Sequence, residues 1–427
     1  MPQIRPFKGV VYNQEKVKKM SAVVAPPYDV IPKDMQEELY RGSPYNIVRL
    51  ILGKIKKADD GGDSRYKRAK AFFESWLNGR IMLRDDKDSL YIYSQVYKER
   101  ARAIERIGFI GLMGMDAKKG NRILPHENTL AAPKLDRLNL MREVRANLSP
   151  IFVLYDDEKH AIVNVLRKWA SKGKPFVDVN FGNVRHRLWK LDDDSLIEKI
   201  ETAMLKKDIF IADGHHRYEV ARVYSMQIQN EKAPEAVKTA SEFLMAYFVE
   251  SNEDILTVLP AHRLVKDIGT MSKEGIIIKL DRFFQIEKVE GLKEMMSRLR
   301  VLRNFHVFGM YPGRGAYYVL RLKDIRRSDE IIKDKPKDWK RLDVSILHLF
   351  ILQHVLGIRD EDDNIEFVKD PKEAASLIDK EKCALAFFLN PTKVSEVKRI
   401  AKLGLRMPRK ATYFYPKPLS GLVINKF

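Results

Sequence analysis

The residues best suited to chemistry lie in one run, Asp208-Ile209-Phe210-Ile211-Ala212-Asp213-Gly214-His215-His216-Arg217-Tyr218-Glu219-Val220-Ala221. A short apolar stretch ends there in an acid, a glycine, two histidines and an arginine, after which Tyr218, Val220, Ala221, Val223 and Tyr224 recur at helical spacing. The pattern predicts a strand, a tight turn and a helix. A residue without a Cβ at the turn lets a bound group approach the backbone, and the N–H groups of the helix start would point at that group. An anion fits such a place, and with two imidazoles and the Arg217 guanidinium beside Gly214 the anion expected is a phosphate. Asp213 falls at the carboxyl end of the strand, in position for a metal ion or a substrate hydroxyl. A plain helix cap by Asp213 competes with this account, but a cap uses one polar side chain and gives His215, His216 and Arg217 no task.

A second run, Ile123-Leu124-Pro125-His126-Glu127-Asn128-Thr129-Leu130, places a carboxylate in a proline-stiffened loop after a short strand. Glu127 is there a general-base candidate, with an ordinary solvated loop glutamate as the alternative. A third run, Arg406-Met407-Pro408-Arg409-Lys410-Ala411-Thr412-Tyr413-Phe414-Tyr415-Pro416-Lys417, is basic and punctuated by prolines. As a loop it brings the cations Lys410 and Lys417 and the hydroxyl of Thr412 to whatever it covers, and its aromatic residues argue against a solvated tail. Near the start, Val24-Ala25-Pro26-Pro27-Tyr28-Asp29 predicts a fixed loop presenting Tyr28 and Asp29. Arg49, in a stretch read as a short strand, needs a phosphate, a carboxylate or another partner if it is buried.

The elements that must hold these residues alternate along the chain. A helix from about Ser64 to Leu77 carries the core stripe Tyr66, Ala69, Phe72, Phe73 and Trp76. Leu90 to Val96 and Ile107 to Met113 read as paired strands around the charged turn Lys98-Glu99-Arg100. Strands at Ile151 to Tyr155 and Phe243 to Val249 and helices at Ala161 to Trp169 and Asp194 to Leu205 flank the signature. Strands interleaved with helices predict an α+β chain, divided as an N-terminal α/β region over 1–106, a core over 107–266 and a C-terminal α/β region over 267–427. Leu256 to His262 reads as a strand ending in His262-Arg263, expected as a surface pair with an anion contact as the alternative, and Val344 to Leu356 as a long apolar helix.

With 427 residues, 45% of them hydrophobic, the chain is large enough for two or three domains. Its single cysteine, Cys383, excludes an internal disulfide and any multi-cysteine metal site, and the expected setting is a reducing, cytoplasmic one without a membrane partner. A formal charge of +20 raises nucleic acid, yet the basic residues are spread along the chain among 58 acids, a pattern that also suits a thermophile's surface ion pairs. The sequence carries no P-loop, Rossmann glycine triplet or protein-kinase signature, which removes the common nucleotide folds.

Asp213 to Arg217 resemble the phosphate-binding signature of the ParB/sulfiredoxin fold, in the form found in archaeal free serine kinases. Val24 to Ile31, Ser43 to Leu50, Pro125 to Thr129, Asp213 to Arg217 and the C-terminal run together resemble a prokaryotic family known as a domain of unknown function, which looks related to those kinases. The resemblance implies a ParB/sulfiredoxin-like core and transfer of a phosphoryl group from ADP or ATP to free L-serine, giving O-phosphoserine. It assigns Glu127 as the base on the serine hydroxyl and Asp213 to catalysis and to positioning Mg²⁺ or the serine. It also assigns Gly214, His215, His216 and Arg217 to the donor phosphates, and Lys410, Thr412 and Lys417 to closure over the amino acid or product phosphate. In the C-terminal run the paired threonines of the kinase loop are replaced by Ala411-Thr412, and the region through about Arg106 has no counterpart in the kinases. A ParB-like, nucleotide-switched DNA-binding protein and a nucleotide-sensing regulator are the rival readings; the first needs a helix-turn-helix after the signature, where strands are expected. No sequence-specific nucleic-acid partner is expected.

Overall fold

A computed structural model describes residues 3–56, 59, 64–99, 102–115, 122–359 and 364–427. The chain is a mixed α/β protein with several sheets, and its residues group into two units. The first is Met1–Pro125, Thr129–Thr257 and Pro416–Phe427; the second is His126–Asn128 and Val258–Tyr415. The strand Arg102–Gly114 runs through the expected division at residue 106, so the N-terminal region and the signature share one sheet. Among the described residues no helix is long and apolar enough to cross a membrane.

The sheet of the first unit runs in the order Ile123–Leu124, Ile209–Asp213, Ile151–Tyr155, Phe243–Glu250, Arg102–Gly114, Leu90–Glu99, Val184–Leu191, Val177–Phe181, with Ile4–Arg5 also paired to Arg102–Gly114. Phe243–Glu250 is parallel to Ile151–Tyr155, and Ile209–Asp213 to Ile123–Leu124; the other pairings are antiparallel. The expected pair Leu90 to Val96 and Ile107 to Met113 is present in longer form, although Arg100 of its turn lies outside the described residues. Alternation sorts the strands' side chains: Ile92, Phe109, Val153, Ile211 and Phe248 meet Ile162, Leu166, Ile197, Ile200 and Tyr218 from the helices Ala161–Ala170, Asp194–Met204 and His215–Asn230. The opposite face is aromatic and is covered by the chain's last residues. Tyr93 lies 4.8 Å from Tyr247 between ring centres, the Tyr93 hydroxyl accepts from the Leu419 N–H, and Gln95 Nε2 donates to the Lys417 carbonyl at 3.1 Å.

Beside this sheet the stripe Tyr66, Ala69, Phe73 and Trp76 is buried on the helix Ser64–Asn78, as its spacing predicts, with Phe72 partly covered. The segment around Arg49 is a helix, Val48–Ile51, and not a strand. Asn46 Oδ1 accepts from the Val48 N–H at 2.9 Å and so starts the helical turn. Arg49 finds partners locally: it donates to the Tyr40 carbonyl at 2.8 Å and lies 4.4 Å from the Tyr40 ring centre.

The second unit is built on an antiparallel sheet in the order Phe284–Val289, Tyr317–Leu322, Val307–Tyr311, Leu385–Leu389, His262–Val265, Ile365–Val368. Val307–Tyr311 and Tyr317–Leu322 form the expected hairpin. Leu385, Phe387 and Leu389 point to a core containing Phe350 and Ile400, whereas Ala386 and Phe388 point to a second core with Met295, Leu299 and Ala374, so helices cover both faces. The apolar helix expected over Val344 to Leu356 is wound as a π-helix over Ile346–Val355. Leu256 to His262 is not one strand, since Thr257–Leu259 and His262–Val265 are separate.

His262 and Arg263 are fully buried and not a surface pair. Neither ring nitrogen of His262 has a hydrogen-bond partner among the described residues, and the ring packs 4.9 Å from that of Phe388. Burial, helped by the Arg263 charge, pushes the imidazole down to about 3. A histidine held neutral in the fold but titrating near 6.5 when unfolded gives stability that is present above pH 6.5 and lost as the pH falls toward 3. Between pH 7 and pH 5 this one group is expected to remove about 2 kcal/mol. His262→Leu should therefore lose less stability than the wild type over that interval in denaturant unfolding, and equal losses in both proteins would show that His262 carries none of the acid sensitivity.

Candidate functional site

The signature has the expected local form. The strand Ile209–Asp213 leads through Gly214 into the 16-residue helix His215–Asn230. Pairing with Ile151–Tyr155 slips by one residue between Ile211 and Asp213, and such a bulge re-aims the side chain that follows it. Gly214 has φ 95°, and a Cβ there would lie 2.7 Å from Ile151 Cγ2 and 3.0 Å from Arg217 Nη2, so both conformation and space require glycine. The N-cap residue is Gly214, with no side-chain cap bond. Asp213 is therefore not the cap, and its oxygens serve cations instead.

Asp213 Oδ2 accepts from Arg217 Nη2 at 2.8 Å, and Asp213 Oδ1 meets Lys417 Nζ at 2.5 Å. Arg217 also donates through Nη1 to the Pro150 carbonyl at 2.6 Å, which fixes its guanidinium beside the turn. Lys417 reaches the Asp29 carboxylate as well, so one ammonium bridges two acids while its side chain is 8% exposed. Burial alone would lower the Lys417 pKa, but the charges of Asp213 and Asp29 outweigh it and hold the pKa above the ordinary lysine value. Tyr28 and Asp29 do face the site, as the Pro-Pro loop suggested. Burial raises the Tyr28 hydroxyl, and the Arg137 guanidinium lies 4.1 Å from its ring centre. Arg137 escaped sequence reasoning because it sits in the helix Ala131–Val144 among several basic residues; its sole signal was a position just downstream of the Pro-His-Glu run.

The flank of the signature helix holds the segment that follows Glu127. His216 Nε2 accepts from the Leu130 N–H at 3.0 Å, which puts the proton of a neutral ring on Nδ1. Glu219 accepts from the Thr129 hydroxyl and pairs with Lys134 at 3.1 Å. His215 is 4% exposed at the first helical position.

Glu127, Lys410 and Thr412 belong to the second unit, where the Pro-His-Glu run and the basic run meet. Glu127 forms a parallel bridge with Met407, the Met407 N–H donates to the His126 carbonyl at 2.7 Å, and His126 Nε2 is 3.0 Å from Thr412 Oγ1. The Glu127 side chain is half-buried. Arg263 donates to the carbonyls of Arg409 and Lys410 at 3.3 and 3.2 Å and also to His348 Nε2 at 2.9 Å, so a buried guanidinium pins the basic loop from beneath. Lys410 is exposed and has φ 53°, a strained value for a lysine that the loop imposes. Of the three residues expected to close over a substrate, Lys410 and Thr412 stand with Glu127, whereas Lys417 stands with Asp213 in the first unit.

The expected Mg²⁺ does not fit on Asp213, because each carboxylate oxygen already meets a side-chain cation. Among the described residues no group of three or more His, Cys, Asp or Glu side chains is arranged to hold a metal.

Several solved structures are similar to the chain. A conserved hypothetical protein from Pyrococcus furiosus shares 12% identity at a TM-score of 0.34, over 72% of this chain and 91% of that one. A free serine kinase variant in complex with AMP shares 12% identity at 0.35, over 71% and 86%. SbnI from Staphylococcus aureus, truncated at its C-terminus, shares 11% identity at 0.35, over 73% and 85%. No curated protein matches the chain. A family model described as "Protein of unknown function (DUF1015)" matches residues 4–345, most of the chain's length, and the chain belongs to that family.

Proposed function

We propose that the protein is a small-molecule kinase that moves a phosphoryl group from ADP or ATP to the hydroxyl of free L-serine. The observation that supports it most is the turn after Ile209–Asp213, where a glycine at positive φ opens a long helix and two fixed cations, Arg217 and Lys417, flank one carboxylate. Gly214, His215, His216 and Arg217 bind the donor phosphates at the helix start, where the dipole and the guanidinium favour negative charge. Asp213 orients Arg217 and Lys417 beside the turn. Glu127 takes the proton of the serine hydroxyl, and Lys410 and Thr412 hold the amino acid or the product phosphate. On this reading the first unit has a ParB/sulfiredoxin-type core.

Incubation with L-serine and ATP or ADP, followed by phosphorus NMR, is expected to show a new phosphomonoester. Its absence with both donors and with related hydroxy amino acids would sink the kinase reading. Arg217→Ala should weaken nucleotide binding on the order of tenfold to a hundredfold, the loss of one charge-assisted contact of roughly 1.5–3 kcal/mol. Unchanged affinity by calorimetric titration would remove the phosphates from this turn.

A further inference from the structure

The first unit carries an aromatic pocket at the end of its sheet away from the signature turn, where Val184–Leu191 and Val177–Phe181 close the strand order. Its volume is about 420 Å³, within the range of about 300–1,000 Å³ that small-molecule sites occupy. Trp169, on the helix Ala161–Ala170, Trp189, on the strand Val184–Leu191, and Phe176 supply rings. Lys172, Lys174 and Lys190 supply charge, and none of the described acids lines the pocket.

The two indoles are fixed in place by the protein itself. Trp169 Nε1 donates to the Lys190 carbonyl at 2.7 Å, and Trp189 Nε1 donates to the Gly173 carbonyl at 3.0 Å. These bonds tie the helix and the loop after it to the strand, and each uses the one polar atom of its ring. What the indoles still offer is carbon: Trp189, 8% exposed, lies deepest, and Trp169 and Phe176 are half-buried.

Rings gathered in this way commonly take a cation, whose charge meets their negative faces. Here the protein's own ammoniums already fill that role. Lys172 Nζ lies 4.9 Å from the Trp169 ring centre, and Lys190 Nζ lies 5.7 Å from that of Phe176. A cationic guest would have to displace one of them against the charge of the others. Lys190 is paired with the Asp85 carboxylate, whereas Lys172 and Lys174 have no carboxylate partner among the described residues. The unmet charge is therefore positive, and the unmet surface is flat and apolar.

We infer that this pocket binds a small aromatic acid, its ring against Trp169, Trp189 and Phe176 and its carboxylate or phosphate on Lys172 and Lys174. A flat ring stacks on such walls in geometries that an aliphatic acid of the same size lacks. The anion gains charge-assisted contacts from two exposed ammoniums that no acid neutralises. The site shares no residue with the signature turn, so the inference stands apart from the donor-phosphate reading.

The test is calorimetric titration of the full-length protein with indole-3-acetate, phenyl phosphate, tryptamine and cyclohexylacetate. At least one of the two aromatic acids is expected to bind the wild type tenfold or more tightly than tryptamine or cyclohexylacetate, the tighter acid naming the anion. Lys172 and Lys174 are exposed, so the double change Lys172→Glu and Lys174→Glu leaves the fold intact and should weaken that acid at least tenfold. Trp169→Leu should do the same if it melts cooperatively; otherwise the lysine variant decides. Tryptamine binding as tightly as the acids overturns the anion assignment, and cyclohexylacetate doing so overturns the aromatic one. Unchanged affinity in the charge-reversed protein places the acid elsewhere, and failure of both acids to bind at millimolar concentration ends the proposal. An octathymidylate that binds more tightly than either acid would assign the pocket to single-stranded nucleic acid instead.

Discussion

Glu127→Gln is expected to lower phosphoryl transfer to serine by about 10²–10⁴ while nucleotide affinity stays near the wild-type value. Glutamine keeps the length of the side chain and removes its basicity, so the change isolates proton acceptance. The backbone bridge from Glu127 to Met407 and the bond from the Met407 N–H to the His126 carbonyl do not involve the carboxylate, so the local strand is expected to survive. The donor phosphates are assigned to Gly214 to Arg217, on a different part of the chain, and a calorimetric titration should register no more than a small shift. Single-turnover transfer from ATP or ADP measures the effect directly. A variant with near-normal turnover would remove Glu127 from the mechanism, and one that lost nucleotide affinity in equal measure would place it on the donor.

The signature was legible because all its signals are local. An apolar run, a glycine and a return of helical spacing lie within fourteen residues, and the strand, positive-φ glycine and helix appear where they were expected. What surrounds Asp213 was not legible, since Lys417 and Asp29 reach it from positions roughly two hundred residues away in either direction. No periodicity connects such residues. The same limit made the C-terminal run read as one loop, although Lys410 and Thr412 lie on one unit while Pro416 onward covers the aromatic face of the other unit's sheet. His262-Arg263 was misjudged for another reason. Two adjacent basic residues at a strand end are ordinarily exposed, and the demand of the Ala261, Arg409 and Lys410 carbonyls and of His348 makes a buried guanidinium tenable there. Around Arg49 the apolar neighbours suggested a strand, but Asn46 two residues before Val48 is a turn-starting side chain, and its bond to the Val48 N–H decided the outcome.

Lys417→Met should be the most destabilising single change at the site. The substitution preserves the apolar stem and its packing and deletes only the ammonium. It leaves Asp29 and Asp213 facing a vacated position, with Arg217 still on Asp213. Removing one partner of a buried ion pair costs about 3–5 kcal/mol, because the remaining charge stays desolvated, whereas an exposed pair is worth about 0–1 kcal/mol. With 8% of the Lys417 side chain and 16% of Asp213 exposed, the buried figure applies to that half of the bridge; Asp29, at 30%, is partly relieved by water. Urea unfolding at pH 7 measures the effect against the wild type. A loss within about 0.5 kcal/mol at pH 7 would mean that the bridge is solvated in solution.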